Sequence, residues 1–101
     1  MTQTTRRKIL TQADKILHGK RSADYGGIEE NFGQIARFWN IYLQRREKIE
    51  AHDVCAMMAL LKIARLSNQP DWDGALDLAG YAACYAEAAR LDAPSDAQEG
   101  P

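Results

Sequence analysis

Apolar residues recur at helical spacing in four stretches of the chain, and glycine and proline fall between those stretches. In the first, Ile9, Leu10, Ala13, Ile16 and Leu17 stand at the i, i+3, i+4 positions that line one helix face. The spacing predicts a helix over about residues 5–18, with Thr5 as its N-cap and Gly19 as its stop. A second is predicted over about 28–46, with Ile28, Phe32, Ile35, Trp39, Tyr42 and Leu43 on its apolar face. The third, about 53–67 with Asp53 as N-cap, is apolar on nearly every side and broken only by Lys62 and Arg65. A helix of that kind belongs at the centre of a fold. Pro70 separates it from a fourth, about 73–91, rich in small residues such as Ala75, Ala79, Gly80, Ala82, Ala83 and Ala86. No strand pattern and no internal repeat is present, so the expected fold is all-α, a compact four-helix domain over residues 1–91. Residues 92–101 hold nothing to bury and are expected to form a disordered tail.

Composition adds limits to this picture. A chain of 101 residues with 46% hydrophobic and 27% charged positions suffices for one domain with one core. Only Cys55 and Cys84 are present, both in apolar helical stretches, which fits buried thiols in a reducing compartment. No apolar run approaches the roughly 18 residues that span a bilayer, and residues 1–7 are polar, so a cytoplasmic protein without membrane contact is expected. The net charge of -1 hides a split: residues 1–50 carry 10 Lys or Arg against 6 Asp or Glu, and residues 51–101 carry 3 against 8. The halves are expected to attract one another, and the balance argues against a nucleic-acid partner, which needs a basic footprint. The third and fourth helices carry more apolar surface than a monomer of this size readily buries, so a homo-oligomer is expected, joined through the Ala-rich fourth helix with Tyr81 and Tyr85 on its outer side.

The candidate chemistry lies in a few polar residues. At about 100° per residue, Lys62 and Arg65 share a face with Met58 and Leu61, an arrangement that asks for a negative partner. Asp73, Asp77, Gly80, Cys84 and Glu87 share a face of the fourth helix, and Glu29 on the second flanks the apolar stripe. One reading has Lys62 and Arg65 paired with Asp73 and Asp77 simply to fix helix register. The other has Glu29, Asp73 and Asp77 holding Mg2+, a hard cation that prefers carboxylate oxygen, while Lys62 and Arg65 contact phosphate. The loop of residues 20–27 offers Lys20, Arg21 and Tyr25 ahead of a helix N-terminus, where anions are favoured. Its alternative is ordinary turn chemistry, with Gly26 and Gly27 permitting positive φ. His18 and His52 fall at helix ends, as dipole partners or surface residues. No zinc spacing, phosphate-binding glycine loop or nucleophile triad occurs, and no catalytic residue is assigned.

Four segments carry a resemblance: R-x-x-D-Y-G-x-x-E-E-N-F at residues 21–32, I-A-x-x-W-x-x-Y-L at 35–43, D-V-x-x-M-M-x-L-L-K-I-A-R-L at 53–66 and D-x-x-x-D-x-A-G-Y-A at 73–82. They resemble a family of small phage and prophage proteins of unassigned function, over most of the chain. More faintly, the chain looks like the all-helical MazG-type nucleoside triphosphate pyrophosphohydrolases and like phage domains associated with nucleotide modification. The pyrophosphohydrolase likeness implies Mg2+ bound by an E-x-x-E helix and a later acidic helix. Glu29 or Glu30 would stand for the first motif, Asp73 and Asp77 for the second, and Lys62 for the basic residue between. Gly33 and Gln34 occupy the places of a further acidic ligand, and Asp73 and Asp77 are spaced i, i+4 rather than i, i+3. The expected function is binding of a nucleotide or nucleotide-derived signal in a cleft between helices, sequestering it against host defence in a phage-infected bacterium. The alternatives are the Mg2+-dependent hydrolase and a factor that docks on a host protein through its helices.

Overall fold

The computed structural model describes residues 4–19 and 27–94. The candidates Lys20, Arg21 and Tyr25, and the tail beyond residue 94, lie outside the described residues. The described residues form four helices, α1 (Thr5–Leu17), α2 (Ile28–Leu43), α3 (Ala51–Asn68) and α4 (Trp72–Ala88), and hold no strand. The all-α, four-helix expectation therefore holds, and none of these helices is long and apolar enough to cross a membrane.

The helix ends differ from their expected places for local reasons. Thr4, not Thr5, caps α1, its hydroxyl accepting from Arg7 N at 3.2 Å. Gly19 follows the end of α1 because a Cβ there would sit 2.7 Å from the Lys15 carbonyl oxygen. Gly27 caps α2 at φ -69, so its place asks for no positive φ. α2 stops at Leu43, three residues early, because Gln44 adopts the left-handed region at φ 49. α3 begins earlier than expected: Glu50 is its N-cap, and Asp53 is the third residue inside, its Oδ2 accepting from Glu50 N at 2.8 Å. That is the reciprocal capping-box position. Asp71 caps α4, accepting from Gly74 N at 2.6 Å.

α3 and α4 form an antiparallel hairpin with the most extensive packing in the molecule; α2 lies on α3 and α1 on α4. Phe32 and Ala36 of α2, Val54 and Cys55 of α3 and Cys84 of α4 make the buried cluster, with Leu17, Ile28, Ile35, Trp39, Met58 and Tyr81 packed around it. Both cysteines are free and buried, as their apolar surroundings imply. Where α3 ends, the chain turns so tightly that a Cβ on Gly74 would come within 2.8 Å of Leu66 Cδ2. Asn40 closes the α2–α3 connection by mimicking a backbone pair: its Nδ2 donates to Ile49 O and its Oδ1 accepts from Ile49 N, both at 3.0 Å. α1 is tied to α4 by the Trp72 indole, which donates to Gln12 Oε1 at 2.8 Å.

Two expectations about faces are corrected. Tyr42 is 87% exposed and belongs to an outer side of α2 with Phe38 and Ile41, because at 100° per residue it lies about 60° off the Trp39 direction. Tyr81 faces inward, its ring edge-on to Phe32 at 6.2 Å, whereas Tyr85 lies outside against His52. Among the described residues, the ion pair that links the two chain halves joins Glu29 to Arg90, the reverse of the sense expected from their net charges.

Candidate functional site

A cavity of about 350 Å3 opens among the four helices. Its walls are mainly apolar: Ile16 and Leu17 of α1, Phe32 and Ile35 of α2, Met58 of α3, and Leu76 and Tyr81 of α4. Gly80 forms part of the wall, and a Cβ added there would meet nothing within 4 Å. Three polar side chains enter this lining, Asn31, Lys62 and Asp77.

Lys62 and Asp77 reach the cavity because the antiparallel register sets them opposite one another. The same register faces Leu66 with Gly74 farther along and Cys55 with Cys84 toward the other end. Lys62 Nζ lies 3.0 Å from Asp77 Oδ2, with the lysine side chain 16% exposed and the aspartate 40%. An ammonium group so far withdrawn from water needs a compensating charge, and this carboxylate supplies it. The pairing read from sequence as a register device thus exists for Lys62 and Asp77. The rest of the candidate constellation is dispersed. Arg65 is exposed and forms no ion pair with a described residue, and Asp73 is exposed in the first turn of α4.

Glu29 is held elsewhere. Arg90 Nε approaches its Oε1 at 2.8 Å and Arg90 Nη2 its Oε2 at 3.4 Å. The hydrogen bond from Arg90, and then its charge, hold the Glu29 carboxyl below the usual carboxylate range. Arg90 is placed for this by a Schellman ending of α4: Leu91 N donates to Ala86 O and Arg90 N to Glu87 O, with Arg90 itself at φ 58. Glu29, Asp73 and Asp77 therefore do not fit a shared Mg2+ as they stand. Among the described residues, the three ligand-type side chains that do cluster, with donor atoms within 4.8 Å of one another, are Glu50, His52 and Asp53. They close the N-terminus of α3, with His52 3.6 Å from each carboxylate.

Sequence reasoning set Gly80 on the candidate face of the fourth helix and Asn31 on a flank of the second, but gave neither a part in the site. The signal for Asn31 was its flank position on α2, equivalent to that of Glu29 on the other side of the stripe. Cys84 lines the cavity and Cys55 the outer side of the same helix pair; burial, and then the neighbouring Cys84, push the Cys55 thiol up to about 11. Burial of this kind disfavours the thiolate.

The family described as "Domain of unknown function (DUF6378)" matches residues 8–89, which include every residue of the cavity wall. The chain belongs to the DUF6378 family. Two phage relatives extend the match. The DUF6378 chain is 45% identical over 75 residues to the Gene 55 protein of Mycobacterium phage L5, covering 73% of itself and 47% of the phage protein. It is 40% identical over 77 residues to the Gene 55 protein of Mycobacterium phage D29, covering 75% of itself and 50% of that relative. It thus spans about half the length of these relatives. The resemblance to a small phage protein family, read from four segments, is borne out for DUF6378 by these matches. No solved structure matches.

Proposed function

We propose that the chain binds a nucleotide or nucleotide-derived small molecule in the cavity among its four helices. The observation that carries this reading is Lys62, withdrawn from solvent and paired with Asp77 at the edge of a mainly apolar hollow. Ligand sites are mostly apolar with a few convergent polar groups, and about 350 Å3 lies at the lower end of their usual range of roughly 300–1,000 Å3. In this reading the planar base lies against Phe32, Met58 and Tyr81, and the Asn31 amide, which both donates and accepts, meets its edge. Lys62 then exchanges its carboxylate partner for an anionic group of the ligand.

Binding is favoured over turnover. A Mg2+-dependent hydrolase needs carboxylates converging on a metal beside the phosphate chain, whereas Arg90 occupies Glu29 and Lys62 occupies Asp77. A protein that binds without turnover lowers the free concentration of its ligand in proportion to its own amount, which is how a phage protein would blunt a nucleotide signal.

Calorimetric titration with nucleobases, nucleosides, nucleoside mono- and triphosphates and cyclic dinucleotides, with and without Mg2+, tests this reading when the ligand is recovered and chromatographed. The expected result is binding of one ligand class independent of Mg2+, with the ligand returned intact. Lys62→Met is expected to weaken a phosphorylated ligand by about 1.5 to 3 kcal/mol and to leave its nucleoside nearly unaffected. Products formed only with Mg2+ would favour the hydrolase instead, and a panel with no binder would end the reading.

A further inference from the structure

The outer side of the α3–α4 hairpin is a second surface, divided from the cavity by Tyr81, which lines both. Beside Cys55 and Tyr81, Ala56, Ala59 and Leu60 of α3 and Ala82 and Tyr85 of α4 border a shallow hollow of about 410 Å3. At 100° per residue, the outer half of α3 from Ala56 to its end carries Met57, Leu60, Leu61, Ile63, Ala64, Ser67 and Asn68, and no charged residue, while Asp53 precedes it on the same face and Arg65 flanks it. These large side chains stay open in the single chain: Leu60 is 63% exposed, Ile63 48% and Met57 41%. A helix apolar all round is ordinarily buried all round, yet the buried hydrophobic residues among those described are only Ala13, Phe32, Ala36, Val54, Cys55 and Cys84.

We propose that a second copy of this chain covers the face, α3–α4 hairpin against α3–α4 hairpin, about a two-fold axis. Three features favour an identical partner. An isologous contact must be complementary to itself, and a face without charge has nothing to repel its own image. Its relief alternates a floor of small residues, Ala56, Ala59 and Ala82, with the projecting Leu60, so the Leu60 of one copy fits the alanine-floored hollow of the other. The size is within reach: the stretch of α3 whose outer half is uncharged, residues 56–68, extends about 20 Å, and two helices side by side are roughly 20 Å wide. That flat footprint, on the order of 400 Å2 before side-chain relief is counted, is about half of the roughly 800 Å2 each partner buries in a specific interface.

The test is sedimentation equilibrium of the full chain, the Leu60→Lys and Ile63→Lys variants, and Phe38→Lys on the exposed side of α2 as a control. The parent and the control are expected at twice the 11.3 kDa chain mass at micromolar concentration. Each α3 variant is expected to raise the dissociation constant about 100-fold or more, because a dimer would bury two unpaired ammonium groups, while far-UV circular dichroism stays helical. A parent that is monomeric at about 100 μM, far above the Kd of a specific interface, would overturn the proposal. So would a dimer that survives both α3 variants, or one that Phe38→Lys alone breaks.

Discussion

Lys62 keeps its charge at the edge of an apolar wall through one partner, Asp77, and the energetics of the pair follow from its partial exposure. Pairs at the surface contribute little and fully buried ones are costly to break, so Lys62→Met is expected to cost about 1 to 3 kcal/mol of folding stability, read by urea denaturation. Arg65→Ala, at an exposed residue without a described ion-pair partner, is expected to change stability by less than about 0.5 kcal/mol. Sequence spacing was enough to bring Lys62 and Asp77 together, because the short α3–α4 connection dictates antiparallel neighbours. It was not enough for Glu29, whose partner Arg90 arrives from 61 residues away through a left-handed backbone position that no glycine marks. Cys55 supplies a pH dependence. Its folded-state thiol is raised to about 11, above the ordinary value of roughly 8.5, so between these values the unfolded chain has lost a proton that the folded one retains. Stability therefore falls as pH rises through that window. Denaturation series from pH 8 to 11 are expected to show a shallower decline for Cys55→Ala than for the parent.

At the scale of the elements, periodicity located the four helices but not their ends. α2 is expected to run to about residue 46, and no glycine or proline marks an earlier stop. The stop is instead a left-handed Gln44, followed by a segment that Asn40 clamps through Ile49. Since that backbone region costs a non-glycine residue about 1 kcal/mol, Gln44→Gly is expected to raise the melting temperature by several degrees. Asn40→Ala removes both bonds to Ile49 and is expected to cost about 1 to 3 kcal/mol by the same measurement. The start of α4 is as tightly defined. Gly74→Ala places a methyl group against Leu66 and Asp71 and is expected to cost about 1 to 3 kcal/mol, whereas Asp71→Ala forfeits a cap of about 1 kcal/mol.

At the scale of the whole molecule, the α3–α4 hairpin has two sides with different chemistry. One borders the cavity and carries Lys62 and Asp77; the other is an apolar face, uncharged from Ala56 to the end of α3, that the described helices leave exposed. The near-continuous hydrophobicity of α3 made its central place legible in the sequence. A cleft between helices was an expectation from sequence, but its shape was not legible, because it depends on what is missing from the wall, above all a side chain at Gly80. Gly80 also provides the most direct test of the proposed binding function. Gly80→Ala is expected to stabilise the helix by about 0.5 to 1 kcal/mol, and Gly80→Met to extend a side chain into the cavity without removing Lys62, Asp77 or Asn31. The decisive measurement is calorimetric titration of the parent and Gly80→Met with the nucleotide class the parent binds, alongside melting curves for both. The expected result is a folded Gly80→Met protein that no longer binds that ligand; undiminished binding by the filled variant would contradict a site inside the bundle.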